Sequence, residues 1–270
     1  MTDETGFQLQ GSAPERYEQF AAPIMAPFVE AVLDTVDLFP GAQALDLACG
    51  TGFVARAAAG RVGPTGHVVA VDINEGMLRV AAARAPRMYP DIEFVQAPAD
   101  SLPLEEAGFD VVICQQGAQF FPDLDTALKE AARVLRPGGR IAVTTWAPKE
   151  RSPYFDAQHR VIEEYGTPEE AAAHGRAFSC TADRLATAFA AAGLRDVTVH
   201  LVRRDVLTPP LDDWVRGHLS ALPWTGSLTE AGPAALTRAS RALCDRLADR
   251  RHPDGTATLP FTSLLATAVR

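Results

Sequence analysis

Ala44-Leu-Asp46-Leu-Ala48-Cys-Gly50-Thr-Gly52-Phe-Val-Ala55 is the stretch whose reading decides the fold. Its front half is a short apolar run broken by one acid, the pattern of a strand buried inside a sheet. Its back half starts a helix, with Gly50 and Gly52 between the two. Glycine there permits backbone angles that other residues resist and lets a ligand come close to the main chain. The following helix would aim its free amides and positive dipole end at that ligand. Strand, glycine turn and helix together predict a nucleotide-shaped cradle.

The glycines alone do not choose the nucleotide, because Gly50-x-Gly52 followed by Ala55 also fits the looser dinucleotide fingerprint. Asp46 shifts the balance. A carboxylate near the strand's carboxyl end repels a pyrophosphate and suits an ammonium or sulfonium. Asp72 ends the next apolar run, His67 to Val71, at a spacing from the glycines that suits an acceptor for ribose hydroxyls. The expected ligand is a nucleoside with a cationic, amino-acid-like tail.

On these residues the chain resembles the class I S-adenosylmethionine-dependent methyltransferases. The opening stretch is similar to their motif I, and Val69-Ala-Val-Asp72-Ile-Asn-Glu-Gly-Met77-Leu to their ribose-binding strand end. Gln96-Ala-Pro-Ala99-Asp100-Ser-Leu-Pro resembles the adenine-binding turn, and Phe109-Asp-Val-Val-Ile-Cys-Gln115-Gln the fourth strand. Arg133-Val-Leu-Arg-Pro137-Gly-Gly139-Arg-Ile-Ala-Val resembles the helix end and fifth strand. The likeness runs over residues 14–147 and is nearest to small-molecule enzymes of the ubiquinone/menaquinone-biosynthesis type.

Composition sets the outer limits. The chain has 270 residues, 47% hydrophobic and 22% charged, ordinary for a soluble globule with room for one sizeable α/β domain. A net charge of −9 argues against a nucleic-acid partner. Cys49, Cys114, Cys180 and Cys244 lie far apart, and the histidines have no ligand spacing, so neither a disulfide framework nor a metal is expected. No apolar run approaches the roughly 18 residues of a membrane span, and no secretory signal opens the chain. A cytoplasmic protein with a small-molecule partner is expected, and a homo-oligomer is compatible with the sequence.

The expected order is strand 43–48, helix 52–62, strand 66–72, helix 74–84, strands 91–96 and 110–115, helix 123–136 and strand 139–146. It predicts a Rossmann-like, doubly wound, mostly parallel sheet with helices on both faces. Two later strands, 196–206 and 259–269, would complete seven strands. Segments 148–180 and 207–256 read as a helical lid within a single domain, with one long helix over 229–250. At the front, residues to Ser12 read as loosely held, a short helix starts at Pro14, and Pro23 is expected to break it.

The resemblance implies a role for each candidate. Asp46, with Gly50, Gly52 and Ala48 in the same turn, would take the methionine part, and Gln115 would share its far end. Tyr17 would close over it. Asp72 would hold the ribose diol, Ile73 and Met77 would flank the adenine, and Ala99 and Asp100 would read the adenine edge. At the acceptor side the candidates are Gln116, Phe120, His159, Phe178, Trp214 and His218, with Phe155 and Trp224 as further lid aromatics. His159, His174 and His218 are the histidines that could act as general base, and no catalytic residue is singled out. Methyl transfer to an oxygen of an apolar or aromatic metabolite is the expected reaction. Two other readings stay open: an NAD-dependent oxidoreductase, which leaves Asp46 and Asp100 unexplained, and a methyltransferase-like protein that binds the cofactor without transferring its methyl.

Overall fold

The apolar runs form strands because both of their faces are covered. In the computed structural model, which describes residues 9–86 and 91–270, seven strands form one sheet in the order β3-β2-β1-β4-β5-β7-β6. They are β1 Gln43–Leu47, β2 His67–Asp72, β3 Glu93–Gln96, β4 Phe109–Gln115, β5 Leu135–Trp146, β6 Arg195–Thr208 and β7 Ala257–Val269. The first five are parallel, and β7 runs antiparallel between β5 and β6. Side chains alternate across the sheet. Leu45, Leu47, Val69, Val71 and Val112 join one core, with α5 (Leu124–Val134) and α8 (Ala182–Ala191). Ala44, Val68, Ala70, Val111 and Ile113 join the other, with α2 (Ala22–Thr35) and α3 (Phe53–Val62).

The sheet reverses its winding between β1 and β4, and the carboxyl ends of strands at such a switch point are where ligands settle. β2 leads into α4 (Glu75–Arg84), capped by the Asn74 side chain, which accepts from the Met77 N–H. β5 starts at Leu135, earlier than the expected 139, because α5 stops at Val134, before Pro137.

The amino-terminal segment departs from expectation. Residues 1–8 lie outside the described residues, but Leu9 is buried and its carbonyl accepts from Asn74 Nδ2 at 2.9 Å, so the chain is held at Leu9. Helix α1 (Ala13–Arg16) passes through a π-helical turn, Tyr17–Ala21, straight into α2. Pro23 does not break the chain, since it falls in the first turn of α2, where a missing N–H leaves no partner unsatisfied.

Helices α6 (Pro153–Tyr165), α7 (Pro168–Arg176), α9 (Leu211–Ser220), α10 (Gly226–Glu230) and α11 (Pro233–Arg246) form a cap over one end of the sheet. The single helix expected over 229–250 is divided: Gly232 takes a left-handed φ of 91° and Pro233 starts the next helix. The cap shares its core with the strand ends. Trp146 of β5 meets Phe155 of α6 at 4.8 Å between centroids, Phe28 of α2 at 5.6 Å and Phe261 of β7 at 6.2 Å. Glu170 ties α7 to α10, accepting the Ser227 N–H at 2.7 Å and the Ser227 hydroxyl while completing a capping box with Thr167. Among the described residues no helix is long and apolar enough to cross a membrane.

The π-helical turn is pinned from the cap side. Trp214 Nε1 donates to the Phe20 carbonyl at 2.9 Å, and Arg16 Nε to the Ser220 carbonyl at 3.0 Å. Gly217 has no side chain because the Phe20 ring lies where its Cβ would be, 2.4 Å away. Gly217→Ala should therefore cost about 1–3 kcal/mol of stability, read from the denaturant midpoint. An unchanged midpoint would show that the Phe20 ring is not held against α9.

Candidate functional site

Beyond the carboxyl ends of β1, β2 and β4 lies a cleft of about 250 Å³, walled by the first turns of α3, α4 and α5 and by the π-helical turn. Tyr17, Asp46, Ala48, Gly50, Asp72, Ile73, Met77, Ala99, Asp100 and Gln115 all line it. The structure thus brings ten of the eleven cofactor candidates to one wall.

Gly52 is the exception. It caps α3 with a φ of 83°, and a Cβ there would fall 3.1 Å from the Ala81 Cβ of α4. Its missing side chain serves the turn and the helix contact, and the cleft wall does not include it. Gly50 does face the cleft: its φ is 54°, and a Cβ would meet nothing within 4 Å, leaving the turn open there.

The two carboxylates are held by the backbone. Asp46 is buried, and its Oδ2 accepts the Ala55 N–H of α3 at 2.8 Å. Asp72 Oδ2 accepts the Gly50 N–H and its Oδ1 the Asn74 N–H, both at 2.8 Å. Burial pushes the Asp46 carboxyl up to about 7, with the Asp72 charge adding to the rise and the Ala55 N–H and Arg56 opposing it. Burial also raises Asp72, against the pull of three backbone amides, those of Asn74, Gly50 and Ile73. A desolvated acid pair of this kind fits a cationic ligand, which would stabilise the ionised form.

The remaining polar groups have the same orientation. Gln115 Nε2 donates to the Met25 carbonyl at 2.9 Å, while its Oε1 is buried without a protein partner. A ligand donor, such as an ammonium, would satisfy that oxygen. Tyr17 donates to Met25 Sδ at 3.5 Å, and burial, with the Asp72 and Glu18 charges, holds its phenol protonated far above the usual range. A cationic nucleoside therefore fits the cleft on three observations: the open glycine turn, the raised carboxyl and the orphaned amide oxygen.

A smaller chamber of about 40 Å³ adjoins the cleft, and the two share Tyr17, Met25, Gln116 and Phe120. Trp146, Phe155, Phe178, Leu222 and Trp224 give the chamber its apolar walls, with Gln158 and His218 as polar lining. Phe120 stacks on Trp224 at 6.2 Å. Four acceptor candidates thus reach the chamber, namely Gln116, Phe120, Phe178 and His218, while Trp214 and His159 line neither cavity. Trp214 is a core residue of α9 bonded to Phe20, and His159 points toward His174 and Glu163. His174 is buried and lines neither cavity. Sequence reasoning missed Met25 and Gln158. Met25 lies on an amphipathic helix and looks like core. The place of Gln158 depends on contacts with residues far along the chain.

Residues 45–143 match the methyltransferase-domain family. The match runs from β1 to β5 and so takes in most of the cleft lining. The chain is 41% identical over 133 residues to the nocamycin O-methyltransferase of Saccharothrix syringae, covering 49% of this chain and 48% of that one. It is 43% identical over 106 residues to the ubiquinone/menaquinone biosynthesis C-methyltransferase UbiE of Ectopseudomonas mendocina, covering 38% of this chain and 41% of the relative. The chain thus spans about half the length, or less, of the curated relatives it matches. In fold it is similar to phosphoethanolamine N-methyltransferase 2 of Haemonchus contortus in complex with S-adenosyl-L-methionine. That likeness has a TM-score of 0.63 at 19% identity and covers 95% of this chain and 56% of that one.

Two outcomes follow from the acid pair. Because Asp72 receives backbone amides on both oxygens, Asp72→Ala should weaken S-adenosylhomocysteine binding and also destabilise the unliganded fold, each by about 1–3 kcal/mol. The second loss runs against the simple expectation for a strand-tip residue, and calorimetric titration with a denaturant melt would separate the two. For Asp46, the folded protein retains a proton between the ordinary 3.8 and about 7 that the unfolded chain has released. Its contribution to unliganded stability therefore declines as pH rises through that window. A cationic ligand favours the ionised form, so affinity should rise with pH through about 7, with proton release seen by calorimetry in buffers of different ionisation heat. Asp46→Asn should abolish that release.

Proposed function

We propose that this protein transfers the methyl group of S-adenosylmethionine to a small-molecule acceptor, an oxygen nucleophile of an apolar or aromatic metabolite. Segments 148–180 and 207–256 would act as the acceptor-enclosing lid of a single, cytoplasmic, nucleic-acid-independent enzyme. The observation that carries this reading is the meeting of Asp46, Asp72, Asp100 and Gln115 around one cleft that opens into an aromatic chamber.

Bound there, the cofactor would supply a methyl on a positively charged sulfur. Its carbon–sulfur pair leaves with sulfur as an acceptor lone pair makes the new bond. The chain's own part is alignment and exclusion of water. Asp46 would answer the ammonium, Asp72 the ribose diol, and Asp100 with the Ala99 backbone the adenine edge. Gln116 and Phe120, on the wall shared by cleft and chamber, would flank the acceptor. The aromatic walls of the chamber support a flat, apolar acceptor. The names of the relatives include an oxygen and a carbon methyltransferase, so the preference for oxygen rests on the likeness to the nocamycin enzyme.

The test has two stages. S-adenosylhomocysteine should bind in calorimetry and NADH should not; the reverse result would return the site to a dehydrogenase. Methyl-labelled cofactor supplied with a small-molecule extract should then place label in an organic-soluble product. Binding without label in any product would instead favour a cofactor-binding protein that does other work.

A further inference from the structure

The chamber next to the cleft contains groups that bind an acceptor and none placed to deprotonate it. Among the residues lining it, only Tyr17 and His218 titrate, and no carboxylate is present. Tyr17 is held in its protonated form by burial and neighbouring acids. His218 could still act as a base, depending on which ring nitrogen bears its proton, and its surroundings decide this.

His218 is buried in α9, and two polar groups lie within hydrogen-bond reach of its Nδ1. The Tyr154 hydroxyl lies 2.7 Å from Nδ1, and Gln158 Nε2 lies 3.3 Å from it. Tyr154 is wholly buried and burial keeps its phenol protonated, and donation to Nδ1 is the direction consistent with the Gln158 amide nitrogen on the same ring atom. The Gln158 amide is oriented by its other end. Its Oε1 lies 2.9 Å from His174 Nε2, and His174 Nδ1 lies 3.1 Å from His159 Nδ1. A consistent assignment has every donor pointing inward: His159 to His174, His174 to Gln158, Gln158 to His218. Such a chain polarises its members in one sense. Both inputs converge on Nδ1, which leaves the proton on Nε2. Rings of Tyr154 at 5.2 Å and Trp214 at 5.3 Å fix the imidazole plane.

We infer that His218 is a hydrogen-bond donor through Nε2–H rather than a general base, and that the acceptor enters the chamber as an oxyanion conjugated with a second oxygen that this N–H holds. The inference rests on the methyltransferase reading of the cleft. A donor aimed at the attacking oxygen would blunt its lone pair, so the N–H is useful only on a neighbouring oxygen. The substrate class is therefore a vinylogous acid, an acidic enol or aromatic hydroxyl beside a carbonyl, whose proton is lost to solvent before binding. Burial pushes the His218 imidazole down to about 3, which agrees with a ring that stays neutral at working pH.

The test uses two single-ring probes with the protein saturated in S-adenosylhomocysteine. Tropolone is an acidic hydroxyl beside a carbonyl, and phenol is neutral at a pH where tropolone is anionic. Tropolonate should bind and phenol should not compete. His218→Phe should weaken tropolonate roughly tenfold or more, while His218→Gln, which keeps a side-chain N–H, recovers part of that loss. Nitrogen-15 spectra of labelled histidine in the unaltered protein should show His218 protonated at Nε2 and unchanged across neutral pH, with Tyr154→Phe raising the Nδ1–H fraction. Equal binding of the two probes, no binding of tropolonate, a proton on Nδ1, or titration near neutrality would each overturn the inference. Failure of S-adenosylhomocysteine to bind would instead fault the proposed function.

Discussion

Two desolvated carboxylates at neighbouring strand tips hold the functional end of this molecule together. Asp72 closes β2 onto the glycine turn after β1 by accepting Gly50 N–H and onto the start of α4 by accepting Asn74 N–H. Asp46 does the same within one unit, binding the β1 strand to the first turn of α3 through Ala55. The acids are therefore structural before any ligand arrives. Their charge is costly when buried without a counter-ion, so a cation brought beside them would be stabilising.

That double use explains what was legible in the sequence and what was not. The strand–turn–helix run around Asp46 and the acid ending β2 are local patterns, and the mostly parallel sheet with a cleft beyond its strand tips followed from them. Gly52 lies off the cleft for a physical reason. A left-handed turn glycine and a ligand-facing glycine look alike in sequence, and only the Ala81 methyl beside it distinguishes them. Pro23 was misread because a proline stops a helix or starts one, depending on whether the preceding turn can widen, as Tyr17–Ala21 does.

The acceptor side was legible only in composition. Aromatic residues in 146–224 do signal an apolar chamber, yet Trp214 and Phe178, equally aromatic, end up in different places: one bonded into the core, the other on the chamber wall. The histidines show the same divide. His159, His174 and His218 lie 15 and 44 residues apart along the chain and meet only because α6, α7 and α9 cross. Their proton positions are a property of that crossing, which no spacing encodes.

The hairpin of β6 and β7 carries α9, α10 and α11 between its strands. The two ends of that insert are pinched together, with Leu211 N–H bonded to the Gly255 carbonyl at 2.8 Å and Arg251 bridged to Ala257. An excursion that leaves and returns through so narrow a neck can be lengthened, shortened or exchanged at small entropic cost to the rest. The neck fixes where the insert leaves and rejoins the sheet, so a change of length inside it reaches the strand tips only through the seam between α9 and Phe20.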